Sequence, residues 1–185
     1  MKAKIIPLDS FSPEPSHKIL LDTNILINLF YPTNFESVSD KYATLYKKLL
    51  TQKSQLLISS VQVSEFINKC IRIQFNLYKE QIGCPNLNFK KDYRSTDEYR
   101  NEMNAILDII KTDILEHFIF IDDGFSKMQF EHIFLYGFSY DFNDALLAEI
   151  TQQQDAILIT NDADFLNYKK NFKIVTSNNF LLMSH

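Results

Sequence analysis

The chain has 185 residues, 45% of them hydrophobic, which bounds it to one globular domain with a substantial core and room for an inserted arm, and argues against a second full domain. Lys and Arg number 19 against 23 Asp and Glu, a formal charge of -4, so a nucleic-acid partner needs local basic patches or bridging cations. Only three glycines are present, which excludes a phosphate loop or a dinucleotide fingerprint and the nucleotide-cofactor chemistry that goes with them.

Residues 1–17, "MKAKIIPLDSFSPEPSH", read as an N-terminal extension whose three prolines argue against a signal peptide or a helical targeting segment. "KILL" (18–21) is a short buried strand, and "TNILINLF" continues with helical apolar spacing until Pro32 stops it. A helix follows around "SDKYATLYKKLL", with Val38, Tyr42, Leu45, Leu49 and Leu50 on one face. "QLLISS" (55–60) is a second strand whose serines can cap a helix beginning near Val61. In that helix Phe66, Ile67, Cys70, Ile71, Phe75 and Tyr78 form a core stripe, with Glu65, Lys69, Arg72, Asn76 and Lys79 on the other side. Residues 83–96, "GCPNLNFKKDYRST", break the pattern as an irregular insertion, and a long helix resumes over "DEYRNEMNAILDIIKTDILEHF". "FIFIDD" (118–123) is a third strand closed by carboxylates. Helices over "SKMQFEHIFLYGF" and "YDFNDALLAEITQQQ" lead to a fourth strand, "AILITND" (156–162), and a fifth, "FKIVTSN" (172–178).

This alternation predicts an α/β fold in three layers, a central parallel sheet of about five strands flanked by helices, within a single domain over 1–185. Ligands of such sheets bind beyond the carboxyl ends of the strands, where Asp22 and Asp162 belong. Cys70 and Cys84 lack C-x-x-C spacing, and His17, His117, His132 and His185 are too scattered to complete a zinc site, so the thiols are read as reduced, in cytoplasm. No window reaches membrane-spanning length.

Asp22 follows the first strand, Glu65 lies early in the helix after the second, Asp144 sits in "FNDALLAE" and Asp162 in "LITNDADF". Each has a local explanation: a cap for Asp22, an i,i+4 pair with Lys69 for Glu65, a favourable first-turn charge for Asp144, a turn for Asp162. Jointly they fall at equivalent loop or helix-start positions that a parallel sheet gathers on one rim. Crowded carboxylates repel and take up protons unless a cation neutralises them, and Mg²⁺ or Mn²⁺ is the hard, oxygen-seeking ion that also bridges to phosphate.

The ordered set "LLDTNILI", "VSEFI", "NDALLAE" and "LITNDADF", spread over about residues 18 to 178, resembles the PIN-domain nucleases. The resemblance implies a PIN-like fold with its acids in one pocket and metal-dependent cleavage of phosphodiesters, most often in single-stranded RNA. It carries over Asp22, Glu65, Asp144 and Asp162 as catalytic, metal-binding acids. The resemblance adds Asp164 as a candidate fifth metal ligand, because some relatives use the acid of the "DF" pair. Asp141, one turn before Asp144, reads as a cap, and Asn24 and Thr160 as turn or cap residues that can also steady a metal shell. Small single-domain relatives are often the toxin of a toxin–antitoxin pair, so a protein inhibitor is an expected partner and a homodimer is left open. Many such toxins are shorter, and the central insertion departs from their pattern.

Lys69 and Arg72, on the helix face of Glu65, are the candidates for holding substrate phosphate, or equally form surface ion pairs of small energetic value. The insertion interleaves Lys90, Lys91, Arg94 and Arg100 with Phe89, Tyr93 and Tyr99, a composition able to grip phosphates and stack bases, or equally a solvated arm or protein-docking surface. Two other classes compete with the nuclease. One is a non-catalytic PIN-like interaction module, against which the intact acids count. The other is an aspartyl-phosphate phosphatase, against which "DTNIL" counts because it lacks a second acid two residues on.

Overall fold

The computed structural model describes residues 3–31, 37–134, 141–168 and 171–183. The expected helix stop at Pro32, the 135–138 part of the "FLYGF" helix, Tyr140 at the start of the next expected helix and His185 lie outside them, as do the side chains of Val38 and His132. Among the described residues no helix is long and apolar enough to cross a membrane.

In chain order the elements are β1 (Lys4–Pro7), β2 (Lys18–Leu21), α1 (Thr23–Phe30), α2 (Ser37–Thr51), β3 (Gln55–Ser59), α3 (Ser60–Gln81), α4 (Asp97–Ile109), α5 (Leu115–His117) and β4 (Phe118–Ile121). They continue with α6 (Phe130–Phe134), α7 (Phe142–Gln153), β5 (Ile157–Ile159), β6 (Lys173–Thr176) and α8 (Asn179–Met183). The strands form one sheet in the order β1-β6-β5-β2-β3-β4, every pair parallel.

The period of two along each strand divides the core. Ile19, Leu21, Leu56, Ile58, Ile157, Ile159 and Val175 face α1 to α4, where they meet Tyr42, Leu49, Phe66, Cys70 and Ile106. Leu20, Leu57, Leu158 and Ile174 face the other way, onto Leu146, Leu147 and Ile150 of α7 and Leu181 of α8. Strands buried on both faces explain why the sequence shows continuous apolar runs rather than alternation. β2 is central, with β3 and β4 on one side and β5, β6 and β1 on the other; sheets of this kind bind ligands beyond the carboxyl ends of the strands at such a switch point.

Two details were not legible in the sequence. Among the described residues the sheet has six strands, one more than the five read from the sequence, because the N-terminal extension contributes β1, registered Lys4 to Lys173 through Pro7 to Thr176. Pro7 is tolerated there because β1 is an edge strand. The insertion is also more ordered than its composition suggests. α3 ends in a Schellman turn, with Cys84 N donating to Lys79 O at 3.0 Å, Gly83 N to Glu80 O at 3.2 Å, and Gly83 at φ +65. Beyond it a wide helical turn, Phe89–Tyr93, is capped by Asn88 Oδ1, which accepts from Lys90 N and Lys91 N.

Candidate active site

Asp22 stands directly after β2 and is only 3% exposed. Its backbone N–H donates to Ile159 O at 2.9 Å, extending the β2–β5 ladder by one rung, and its side chain caps α1, Oδ1 accepting from Asn24 N at 3.3 Å. Oδ2 accepts from Thr160 Oγ1 at 2.7 Å, and Thr160 Oγ1 accepts in turn from Asp162 N at 2.9 Å. The end of β5 thus positions both acids. Burial pushes the Asp22 carboxyl up to about 6, and the charge of Asp162 adds to this; the hydrogen bonds from Thr160 and Asn24 and the charge of Lys69 pull the other way and lose.

Glu65 reaches in from α3. Its Oε2 accepts from Thr23 Oγ1 at 3.0 Å and its Oε1 holds Lys69 Nζ at 2.7 Å, with a side chain 13% exposed. Lys69 Nζ also donates to Asn24 Oδ1 at 3.1 Å. Burial alone would lower the Lys69 pKa, yet the Glu65 hydrogen bond and the charges of Glu65, Asp22 and Asp144 raise it above its usual value.

Asp144 lies in the first turn of α7, and among the described residues nothing donates a hydrogen bond to it. Burial pushes its carboxyl up to about 7, and the charges of Asp22, Asp141, Asp162 and Glu65 push the same way. Asp162 is half-buried and caps the 163–167 turn, its Oδ1 accepting from Asp164 N at 2.9 Å. Asp164 is exposed on that turn. Asp141 caps α7 through Asn143 N at 2.9 Å, as expected.

The structure therefore brings Asp22, Glu65, Asp144 and Asp162 into one electrostatic field, while each also fills a local role. Asp123, at the end of β4, pairs with Ser60 Oγ at 2.5 Å instead of joining them. Arg72 is exposed, its Cζ 4.0 Å from the Phe89 ring centroid. The insertion's aromatic rings turn inward rather than out toward bases: Tyr93 is fully buried, and Phe89, Tyr93 and Tyr99 pack on one another, the first two also against Phe75 of α3.

Sequence reasoning missed three supports. Thr23 anchors Glu65. Gln62 Nε2 donates to Leu21 O at 2.7 Å and its Oε1 accepts from Ser59 N, a pairing the S-x-x-Q spacing of Ser59 and Gln62 could have signalled. Tyr42 Oη donates toward Thr160 O and Asn161 Oδ1, both at 3.2 Å, and accepts from Ser177 N at 3.1 Å, tying the β5 and β6 loops together.

Among the described residues no three His, Cys, Asp or Glu side chains stand close enough to grip a metal ion by themselves. An open acid set still suits Mg²⁺ or Mn²⁺, since Mg²⁺ keeps several waters and takes one or two carboxylates together with substrate phosphates. Two carboxyls held above their usual range, Asp22 buried and Asp144 half-buried, are the donors such a cation would relieve.

A family model for the PIN domain matches residues 19–171. The chain belongs to the PIN domain family. Comparison with curated proteins finds no match. Among solved structures this PIN domain is similar to VapBC2 from Rickettsia felis bound to a DNA fragment from their promoter, at 19% identity and a TM-score of 0.47, covering 85% of this chain and 98% of that one. It is also similar to FitAcB from Neisseria gonorrhoeae, at 16% identity and a TM-score of 0.45, covering 84% of this chain and 96% of that one. PIN domains are generally nucleases.

Proposed function

We propose that this PIN domain is a metal-dependent endoribonuclease that hydrolyses phosphodiester bonds of single-stranded RNA. The observation that supports this most is the convergence on Asp144, a carboxyl pushed up to about 7 by burial and by the charges of Asp22, of the neighbouring cap Asp141, and of Asp162 and Glu65. The chemistry that Mg²⁺ or Mn²⁺ would supply among these acids is an acidified water as nucleophile and neutralisation of charge on the leaving oxygen.

Asp22, Glu65, Asp144 and Asp162 are the acids that would hold the cation, one or two at a time with water and substrate phosphate completing its shell, and Asp164, exposed on the adjoining turn, is the fifth candidate. Thr160 and Asn24 fix the rotamer of Asp22 through its two oxygens. Thr23 and Lys69 do the same for Glu65. Lys69, with Arg72 one helical turn along α3, supplies positive charge to meet a phosphate at the edge of the acids. The finer reading, a toxin restrained by a protein antitoxin, rests on the family resemblance alone.

The test is a digestion panel of single- and double-stranded RNA and DNA with Mn²⁺, run beside purified Asp144→Asn. Cleavage of single-stranded RNA that needs Mn²⁺ and is nearly abolished in the variant is the expected result. Equal cleavage by Asp144→Asn removes the acids from the chemistry. RNA binding with no cleavage under any metal instead makes the chain a non-catalytic interaction module. For the toxin reading, a small DNA-binding protein encoded by the neighbouring gene and suppressing the cleavage is expected; its failure to suppress cleavage refutes that part.

A further inference from the structure

Beside the acids, α1 and α3 leave a groove of about 660 Å³ between them, within the range of about 300–1,000 Å³ common to small-ligand sites. Its lining includes Ile27 and Ile73 together with Asn24, Asn68, Asn76 and Arg72. From this groove we infer a nucleotide subsite: it takes one base and phosphate of single-stranded RNA next to the bond that is cut, with the inserted arm holding Arg72 in place. The identity of the polymer rests on the nuclease reading; the existence of the subsite rests on the groove.

Continuity with the acids comes from Lys69, which also lines the groove and whose ammonium touches both Glu65 and Asn24. A strand whose phosphate is held at the acids therefore runs directly into the groove. Half-buried Ile73 offers apolar surface for the face of a base, with buried Ile27 closing the groove beneath it. The amides above them are already sorted by the bonds they make. Asn24 Oδ1 is engaged by Lys69, which leaves Nδ2 as a donor on the α1 side. Asn68 Nδ2 is spent on Ser64 O at 2.9 Å, which leaves Oδ1 as an acceptor on the α3 side. A donor on one wall and an acceptor on the other match the paired acceptor and donor of an unstacked base edge.

Arg72 gives the groove its phosphate partner, and the arm explains its placement. The guanidinium lies 4.0 Å from the centroid of the Phe89 ring, and Phe89 is itself packed edge-on against Phe75 at 5.3 Å and tilted against Tyr93 at 5.8 Å. A stacked guanidinium loses less freedom on binding a phosphate than a free one does. The arm is thus a brace for one wall of the groove, and its Lys90, Lys91 and Arg94 are exposed to solvent.

The test is fluorescence anisotropy of short homopolymeric RNAs of each base on the Asp144→Asn protein in chelator, which reads binding without cleavage. One base should be preferred by about 10-fold. Asn68→Ala should flatten that preference, and Arg72→Ala should weaken every RNA by about 10-fold, the loss expected of one good polar pair. Arg72→Lys, which keeps the charge but loses the stack, should recover only part, and Phe89→Leu should weaken binding about 3-fold with the fold intact by circular dichroism. RNA affinity and base preference indifferent to Asn68, Arg72 and Phe89 overturn the subsite even if the digestion panel confirms the nuclease. Protection of these residues by a co-purifying protein, with RNA affinity unchanged in the variants, overturns it in favour of a protein partner.

Discussion

Replacing Asp22 by Asn should stabilise the metal-free protein at neutral pH, against the usual expectation for a buried hydrogen-bonded residue. The Asp22 carboxyl is raised from 3.8 to about 6. Between these values the folded state still holds a proton that the unfolded chain has released, so stability falls as pH rises through about 4 to 6, and the whole penalty is present above it. It amounts to about 3 kcal/mol. Asn carries no charge and keeps one oxygen, so it forfeits one of the two bonds from Thr160 and Asn24, at about 1 kcal/mol. The net gain is about 2 kcal/mol, or a rise in Tm of about 4–8 °C for a domain this size. Thermal unfolding in chelator at pH about 7.5 reads the gain directly, and at pH about 4 it should shrink to nothing or reverse. Added Mn²⁺ should stabilise the wild type and not the variant. A variant that melts below wild type in chelator at pH about 7.5 refutes the claim that Asp22 is held in an unfavourable charged state.

Mn²⁺ affinity should rise steeply between pH about 5 and 8, with proton release, because Asp22, at about 6, and Asp144, at about 7, must both shed protons to bind it. Calorimetric titration in buffers of different ionisation enthalpy checks this; affinity flat across the window counts against both acids as ligands. Thr160→Val removes the donor to Asp22 Oδ2 and should raise that carboxyl further, weakening Mn²⁺ binding by about 10-fold or more at neutral pH and recovering part of it at higher pH. Unaltered binding at both pH values leaves Thr160 with a purely structural role.

The parts of the fold that could be read from the sequence are those in which one residue's neighbours are set by local period. "KILL" and "QLLISS" are strands because apolar runs that short can only be buried on both faces of a sheet, and α3 shows its stripe at helical spacing. β1 was hidden because "KIIP" begins with Lys, ends with Pro and lies in a proline-rich stretch; only its distant partner, Lys173–Thr176, makes it a strand. The arm misled for a related reason. Aromatic and basic residues alternate there as they do on nucleic-acid surfaces, but which side they face depends on Phe75 and Tyr78, which prolong the apolar stripe of α3 and draw Phe89 and Tyr93 inward. Tyr42 read as one more core residue, and nothing near it in sequence points to Thr160, Asn161 and Ser177 as partners of its hydroxyl.

The acids were harder, because each local explanation turned out to be true: Asp22 does cap α1, Glu65 does pair with Lys69, and Asp162 does close a turn. What separates a cap from a cap with a second task is the direction of its pKa. The positive end of a helix stabilises a carboxylate by about 0.3–1 kcal/mol and so draws its pKa down. Asp22 caps one helix and Asp144 lies in the first turn of another, yet both move upward, to about 6 and about 7, so burial and mutual repulsion outweigh the helix at both places. Caps selected for stability alone have no reason to be buried beside further acids, since an exposed one makes the same hydrogen bonds, as Asp141 does. The excess positive charge that would reverse both shifts is present only in part, in Lys69, whose single ammonium is already bound to Glu65 and Asn24. The arrangement is unfavourable as it stands and becomes favourable when a further cation is bound.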